Sequence, residues 1–357
     1  MTRSVRGRRW WLYNVVVPTV AVGLLGGYVY SRRSQFEALG DIPPTQILLV
    51  AVLSALGFLL NAMEFGLLYR VMGARIGYGE NWLLYSAGQA GNYLPGQIGT
   101  LYRFKYLRDV HEMPYSISTA AYSANFVITI FATGVTGLFA LVCLGLTDGT
   151  WSLLLTVGLV FLIAVAGAAA VVPVSPKPRE TRLGSAWVRL GQGWERARRA
   201  RAAAAVVFVL EAARYGLAAW RLDIAFGWLG VDDSYFFFLA IAPIAALATF
   251  VAITPAGLGI RELAIAAAVV ALGRPFSDGI LGSSAERAIS LAVVLIAGIP
   301  SFIVTSRALH RSAEARSARA DGTRRHGDAT EVSGGDAALA QDDRGARDRR
   351  WRFWRRM

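Results

Sequence analysis

One short segment places two charged side chains beside a backbone that cannot continue as a regular helix. It runs Thr254-Pro255-Ala256-Gly257-Leu258-Gly259-Ile260-Arg261-Glu262, between apolar runs at 235–253 and 263–272. Proline removes a backbone donor and glycine weakens a helix, so a break is expected here. Hydrocarbon tolerates a break only where protein or a watery cavity satisfies the freed backbone groups. Charges at such a place indicate a functional site.

A second segment, residues 82–102, has the same character. It is polar and rich in glycine, it contains Pro95, Gly96 and Gly99, and Arg103 follows. Basic residues flank it on both sides, so both of its ends are expected in the cytoplasm. The half-helix that follows Thr254–Glu262 is also short: it reaches about 18 Å, whereas a hydrocarbon core is about 30 Å thick. Both segments therefore predict re-entrant or broken helical hairpins.

Anion binding is the chemistry that these breaks favour. The N-terminus of a half-helix exposes unpaired N–H groups and a positive dipole end, which with a nearby arginine would hold a lipid phosphate or diphosphate. The alternative is a structural kink in which Arg261 pairs with Glu262. The residues predicted to bind a lipid headgroup are Pro95, Gly96, Gly99, Arg103, Arg214, Thr254, Pro255, Gly257, Gly259, Arg261 and Glu262.

Polar side chains inside apolar runs are the next candidates. Asn61 and Glu64 share one helix face, where they would line a cavity, carry a proton or make an interhelical hydrogen bond. Glu211 and Arg214 either line the same cavity or form a self-neutralised pair. Arg221 and Asp223 are expected to reach the outer surface. The polar residues predicted to line the cavity are Asn61, Glu64, Asn92, Asn125 and Glu211.

Composition places the chain in a membrane. Apolar residues make up 55% of the 357 residues and charged residues 17%, and the formal net charge is +13. The basic residues lie at the ends of apolar runs, as the positive-inside rule requires, so lipids rather than nucleic acid are the expected partners. A homo-oligomer is a possible assembly. The three histidines and the one cysteine show no metal-ligand spacing, so no metal and no cofactor are expected.

These runs predict an all-α polytopic integral membrane protein with six full spans and two re-entrant or broken hairpins. The hairpins enter from opposite sides, as a possible inverted repeat would require. Both termini are predicted to lie on the cytoplasmic side of the plasma membrane. The six spans are expected at about 10–30, 45–72, 115–146, 151–172, 202–229 and 288–305.

The predicted domain organisation has two parts. Residues 1–306 form a transmembrane domain, and residues 307–357 form a disordered basic cytoplasmic tail. Within the first part, residues 174–201 combine many arginines with apolar residues at helical spacing. That pattern indicates an amphipathic helix lying on the cytoplasmic surface of the membrane.

The two motifs resemble those of a known family. The segment Thr254 to Glu262 resembles the best-marked motif of the lysylphosphatidylglycerol synthase transmembrane region, also called the flippase-like family, and Leu94 to Arg103 resembles its other Pro-Gly motif. The likeness covers about residues 10–306. The chain departs from the family pattern at Ala256, usually glycine, and at Gln97 and Thr100, where a basic residue and an acid are common.

The resemblance implies a membrane transporter-like, flippase-like protein. It would bind and translocate an anionic phospholipid or an isoprenoid-phosphate-linked lipid. Some family members are fused to a soluble domain that transfers an amino acid from tRNA to phosphatidylglycerol, and nothing after Arg307 is expected to form one. The alternatives are a membrane-embedded transferase or accessory subunit acting on lipid-linked sugars, and a structural membrane subunit. No catalytic residue is assigned.

Overall fold

The computed structural model describes residues 42–94, 97–171, 182–250, 257 and 259–330. Over these residues the chain forms ten helices and no strand. The helices are α1 (Pro44–Val71), α2 (Tyr78–Asn92), α3 (Ile98–His111), α4 (Tyr115–Thr147), α5 (Leu153–Val171), α6 (Arg182–Arg199), α7 (Arg201–Gly227), α8 (Tyr235–Ala248), α9 (Ile260–Ala271) and α10 (Phe276–Thr330).

Five of these helices are long and apolar enough to cross a membrane: α1, α4, α5, α7 and the part of α10 from Phe276 to Glu314. The shortest, α5, has 19 residues, which at 1.5 Å per residue is about 28 Å, close to the thickness of a hydrocarbon core. Large apolar side chains on its outer face, such as Leu154 and Phe161, are exposed, as lipid-facing residues would be. The prediction of an all-α polytopic membrane fold is confirmed. The predicted first span, 10–30, lies outside the described residues.

Both Pro-Gly motifs interrupt the helical path. Helix α2 ends at Asn92 and α3 begins at Ile98, while α8 ends at Ala248 and α9 begins at Ile260. The four half-helices have 15, 14, 14 and 12 residues, so each reaches only about 18–22 Å. They therefore form two broken hairpins, α2–α3 and α8–α9, as predicted.

The two hairpins belong to opposite ends of the bundle. One hydrophobic core joins α2 and α3 to the end of α1 and the start of α4, through residues such as Leu84, Tyr106 and Ala121. The other joins α8 and α9 to the last parts of α4 and α7, through residues such as Leu141 and Phe238. Because α4 contributes its first half to one core and its second half to the other, the hairpins enter from opposite ends and their breaks meet near the middle.

Close backbone contact holds the α2–α3 hairpin together. A Cβ added to Gly99 would lie 1.7 Å from the backbone oxygen of Gly88, and one added to Gly91 would lie 2.8 Å from the Cα of Gly99. These distances leave no room for a side chain at the crossing. The glycine-rich composition of this segment is therefore a packing requirement of the hairpin.

The last helix differs from its predicted bounds at both ends. It begins at Phe276 rather than near residue 288, which places Glu286 and Arg287 inside the bundle. It continues to Thr330, so residues 307–330 of the predicted disordered tail are helical, and Arg316 contacts Asp109 at 3.2 Å. Alanine and arginine, both good helix formers, are frequent there. Residues 331–357 lie outside the described part of the chain.

The predicted amphipathic segment, 174–201, contains α6, which runs from Arg182 to Arg199. It packs against the first half of α4, where a Cβ added to Gly193 would lie 2.6 Å from the Cβ of Ala120. The start of the predicted segment, before residue 182, lies outside the described residues. Its placement on the cytoplasmic surface stays a prediction.

Candidate functional site

A polar cavity of about 250 Å³ lies where the two breaks meet. Asn92 and Gln97 line it from the first hairpin, and Thr249 and Gly257 line it from the second. Asn61 on α1 and Asn125 on α4 line it from the spanning helices. The two interrupted segments therefore share one chamber, although they are far apart in sequence.

The charges of the cavity wall are all positive. Four arginines line it, Arg103, Arg214, Arg221 and Arg287, and among the described lining residues there is no aspartate or glutamate. The neighbouring carboxylates lie behind the arginines, on the side away from the cavity. They are Glu64, Glu211, Glu262 and Glu286, each almost completely buried. In this arrangement the guanidinium groups face the cavity, and the buried carboxylates on their far side neutralise much of their charge.

Arg214 joins α7 to α1. Its Nε donates to Glu211 Oε2 at 2.9 Å, its Nη2 also contacts Glu211, and its Nε lies 3.8 Å from Glu64 Oε1. The Tyr215 hydroxyl donates to Glu211 Oε1 at 2.8 Å. Asn125 Nδ2 donates to Glu64 Oε2 at 3.4 Å. Glu64 and Glu211 thus lie behind Arg214 and not on the cavity wall.

A second network surrounds Glu286 on α10. Arg261 Nη2 donates to Glu286 Oε2 at 2.7 Å, and Arg221 Nε lies 3.3 Å from Glu286 Oε1. The expectation that Arg221 reaches the outer surface is therefore wrong, because a buried carboxylate on α10 gives it a partner at the cavity. Arg261 is 7% exposed and stands behind the wall. Its position makes it a support for Glu286 and Arg221.

The half-helix N-termini are capped by the chain itself. The Gly259 amide donates to Glu262 Oε2 at 2.7 Å, and the Thr100 amide donates to Asn92 Oδ1 at 2.9 Å. Gly259 has a φ of +83°, a region that L side chains rarely adopt. Because these two amides already have acceptors, arginine side chains are better placed than backbone amides to receive an anion.

Arg103 differs from the other arginines of the wall. It is 2% exposed and its guanidinium carbon lies 4.7 Å from the centre of the Phe65 ring and 5.3 Å from that of Tyr85. Its Nη2 contacts Thr100 Oγ1 at 3.5 Å, while its Nε and Nη1 are buried and have no hydrogen-bond partner among the described residues. A buried guanidinium with unsatisfied donors favours an anionic ligand.

The structure brings part of the predicted site together. Arg103, Arg214, Gly257, Asn61, Asn92 and Asn125 line the cavity. Gly99 serves the crossing of the first hairpin, and Gly259, Arg261, Glu262, Glu64 and Glu211 lie behind or beside the wall. Pro95, Gly96, Thr254 and Pro255 lie outside the described residues.

Sequence reasoning missed Arg221 and Arg287 as wall residues and Glu286 as their neighbour. The signal was present, because Glu286-Arg287 is a charged pair at the start of a long apolar run. The predicted last span begins at residue 288, directly after this pair, and therefore excludes both charges. Gln89 and Gln97 also line the cavity. Gln89 carries no signal that separates it from an ordinary helix residue, and Gln97 is marked in the sequence only as a departure from the family motif.

The fold and the site define a class: polytopic membrane proteins in which two opposed broken hairpins enclose a cationic cavity. Residues 9–298 match the family described as the lysylphosphatidylglycerol synthase TM region, and the chain belongs to this family. The family is a membrane domain that is often flippase-like in its handling of lipids. The resemblance noted from the two motifs is thereby confirmed. No curated protein matches the chain.

Proposed function

We propose that this protein binds the headgroup of an anionic phospholipid or an isoprenoid-phosphate-linked lipid and carries it across the bilayer. The observation that supports this best is the wall of four arginines with the carboxylates set behind it. A charge at the centre of a bilayer costs at least about 2.5–3.5 kcal/mol on insertion scales. A cavity that replaces water with fixed guanidinium groups lowers that cost for an anion and raises it for a cation.

The size of the cavity supports headgroup binding rather than enclosure of a whole lipid. Its volume of about 250 Å³ is below the roughly 300–1,000 Å³ of pockets that enclose drug-sized molecules. A phosphate with a small substituent fits, whereas acyl or prenyl chains do not. In this proposal the chains stay in the surrounding lipid while the headgroup passes between the two breaks.

The transferase alternative needs an acid or base that touches the substrate. The buried acids nearest to the two breaks are Glu64, Glu211 and Glu262, and none of them is among the described residues that line the cavity. The arrangement therefore favours binding and movement over group transfer. Localisation in the plasma membrane with both termini in the cytoplasm remains part of the proposal.

Translocation of a labelled lipid by the purified protein in vesicles tests the proposal. In phosphatidylcholine vesicles carrying trace fluorescent phosphatidylglycerol, we expect transfer between leaflets to be faster with protein than without it. Arg103→Ala and Arg214→Gln should each slow it about tenfold or more, which corresponds to about 1.4 kcal/mol of lost stabilisation. A fluorescent phosphatidylcholine tracer should respond much less to the protein.

Arg108→Ala is the matched control, because Arg108 lies exposed on the same helix as Arg103 and stacks on Tyr115 at 4.6 Å. It should leave transfer unchanged. Equal transfer of the two tracers, or no effect of the two cavity arginines, would contradict the proposal. Mass spectrometry of lipid that copurifies with the protein would identify the natural headgroup.

A further inference from the structure

Two buried carboxyl groups share one cation behind the cavity. Glu64 on α1 and Glu211 on α7 are both 0% exposed, and the Nε of Arg214 lies 3.8 Å from Glu64 Oε1 and 2.9 Å from Glu211 Oε2. Among the described residues, the cation within 4 Å of either group is Arg214. Glu64 Oε1 accepts no hydrogen bond from the described part of the chain. The cluster therefore contains two acids for one guanidinium.

Two buried carboxylates that share one guanidinium carry one negative charge more than their counter-ion neutralises, so in a low-dielectric site such a pair holds one proton between them. We propose that Glu64 and Glu211 form a proton-binding site, and that capture of an anionic headgroup by Arg214 is coupled to uptake of a second proton there. The coupling rests on the function proposed above. The shared proton does not, because it follows from the two carboxyl groups and Arg214 alone.

The groups that face this pair come from every neighbouring element. Helix α7 supplies Arg214 and the Tyr215 hydroxyl, which bonds to Glu211 and to Thr133 at 2.9 Å. Helix α4 supplies the neutral amide of Asn125. On the cavity side of Arg214, the wall also contains Tyr85 of α2, on which Arg103 of α3 stacks, and Arg287 of α10. Arg221 of α7 is held by Glu286.

Charge balance gives the direction of coupling. In the empty site one proton, two carboxyl groups and one guanidinium sum to zero. When Arg214 turns to a singly charged headgroup, Glu211 loses its counter-ion, and a proton on Glu211 restores neutrality. One proton is taken up per negative charge bound, and both leave together when the headgroup is released. The lipid and the proton therefore move in the same direction.

Glu286 gives the contrast within the same molecule. It also is buried, at 1% exposure, but it lies between Arg221 and Arg261 and accepts a hydrogen bond from the Ser290 hydroxyl at 2.6 Å. Two cations and a donor around one carboxylate favour its ionised form. Protonation is thus expected at the Glu64–Glu211 pair and not at every buried acid.

Infrared spectroscopy of the full-length protein in detergent tests the shared proton without any lipid substrate. At neutral pH we expect the carbonyl stretching band of a protonated carboxyl group. Glu64→Gln and Glu211→Gln should each abolish it, because either change leaves one carboxylate for one arginine. Glu80→Gln is the matched control, since Glu80 is buried and accepts from Tyr106 at 2.9 Å and from His111 at 2.8 Å. It should leave the band unchanged.

Absence of the band, or its persistence in both Glu64→Gln and Glu211→Gln, would overturn the inference.

Vesicles with a pH gradient test the coupling. Transfer of labelled phosphatidylglycerol from the acidic side should be several times faster than without a gradient, and the double variant Glu64→Gln/Glu211→Gln should lose that dependence. Transfer that ignores the gradient would overturn the coupling and leave the proposed function standing. If the wild type moves no lipid, the proposed function and the coupling both fail, and the infrared result decides whether the shared proton exists.

Discussion

At the scale of residues, the position of an arginine relative to the cavity decides its role. Arg103 faces the cavity and has no carboxylate within salt-bridge distance among the described residues. Arg261 lies behind the wall and is bound to Glu286. Both were predicted to bind a headgroup because both follow a Pro-Gly motif. Breaking a buried ion pair leaves an uncompensated charge, so the two arginines should differ in what their loss does.

We predict that Arg261→Ala lowers the free energy of unfolding by about 1.5–3 kcal/mol, because Glu286 loses one charge-assisted hydrogen bond but keeps Arg221 as a partner. Arg103→Ala should change stability much less while slowing lipid transfer. Thermal unfolding of the detergent-purified variants, followed by loss of the monodisperse peak in size-exclusion chromatography, measures this difference.

The double variant Arg261→Ala/Glu286→Ala tests this network, because it also removes the counter-ion of Arg221. It should be no more stable than Arg261→Ala alone, since Arg221 is then left uncompensated. If Arg261→Ala were as stable as the wild type but inactive in lipid transfer, the supporting role assigned to Arg261 would be wrong and direct headgroup contact would be favoured.

At the scale of elements, the glycines at the two helix breaks have different structural roles. In the first, α2 and α3 cross so closely that Gly88 and Gly99 meet through their backbones. In the second, Gly257 and Gly259 adopt φ of +71° and +83°, and Glu262 caps the new helix. Packing requires the glycines of the first hairpin, whereas backbone conformation requires those of the second.

We expect Gly99→Ala to separate the arms of the first hairpin, because its Cβ would fall 1.7 Å from the Gly88 oxygen. Overpacking of this kind costs about 1–3 kcal/mol or more. Gly79→Ala on the same hairpin is the control, since nothing lies within 4 Å of its added Cβ, and it should change stability by less than about 1 kcal/mol. Equal unfolding temperatures for the two variants would contradict the close crossing.

At the scale of the whole molecule, the two hairpins enter the bundle from opposite ends. The shared cavity exists only because both breaks reach the same depth. This opposition agrees with the predicted inverted repeat, although the sequence likeness between the motifs is slight.

Cysteine labelling should reveal this opposition. In a Cys143→Ser background, exposed positions at the ends of the first hairpin, Arg75→Cys and Arg108→Cys, should react with a membrane-impermeant maleimide only from the cytoplasmic side. Asp232→Cys and Ser277→Cys, at the ends of the second hairpin, should react only from the opposite side. Labelling of all four positions from one side would contradict the arrangement.

Several features could be predicted because they depend on a few adjacent residues. The length of an apolar run determines whether it can cross the bilayer, and α1 and α4 lie within two residues of their predicted bounds. A cluster of proline and glycine within a few residues disfavours a continuous helix, so both breaks could be predicted. Asn61, Asn92 and Asn125 were placed on the cavity wall because a polar side chain in an apolar helix turns toward other polar groups.

The sequence by itself determined the membrane class, the family and the two interruptions, since these follow from local composition and motifs. Only the tertiary structure decided which charges face the cavity. Arg261 and Glu286 are 25 residues apart, and Asn125 and Glu64 are 61 apart, and no local pattern states which of these groups meet. The charge of the cavity wall depends on these long-range contacts. Where a carboxylate contacts an arginine from the side away from the cavity, the guanidinium is the group that faces the cavity.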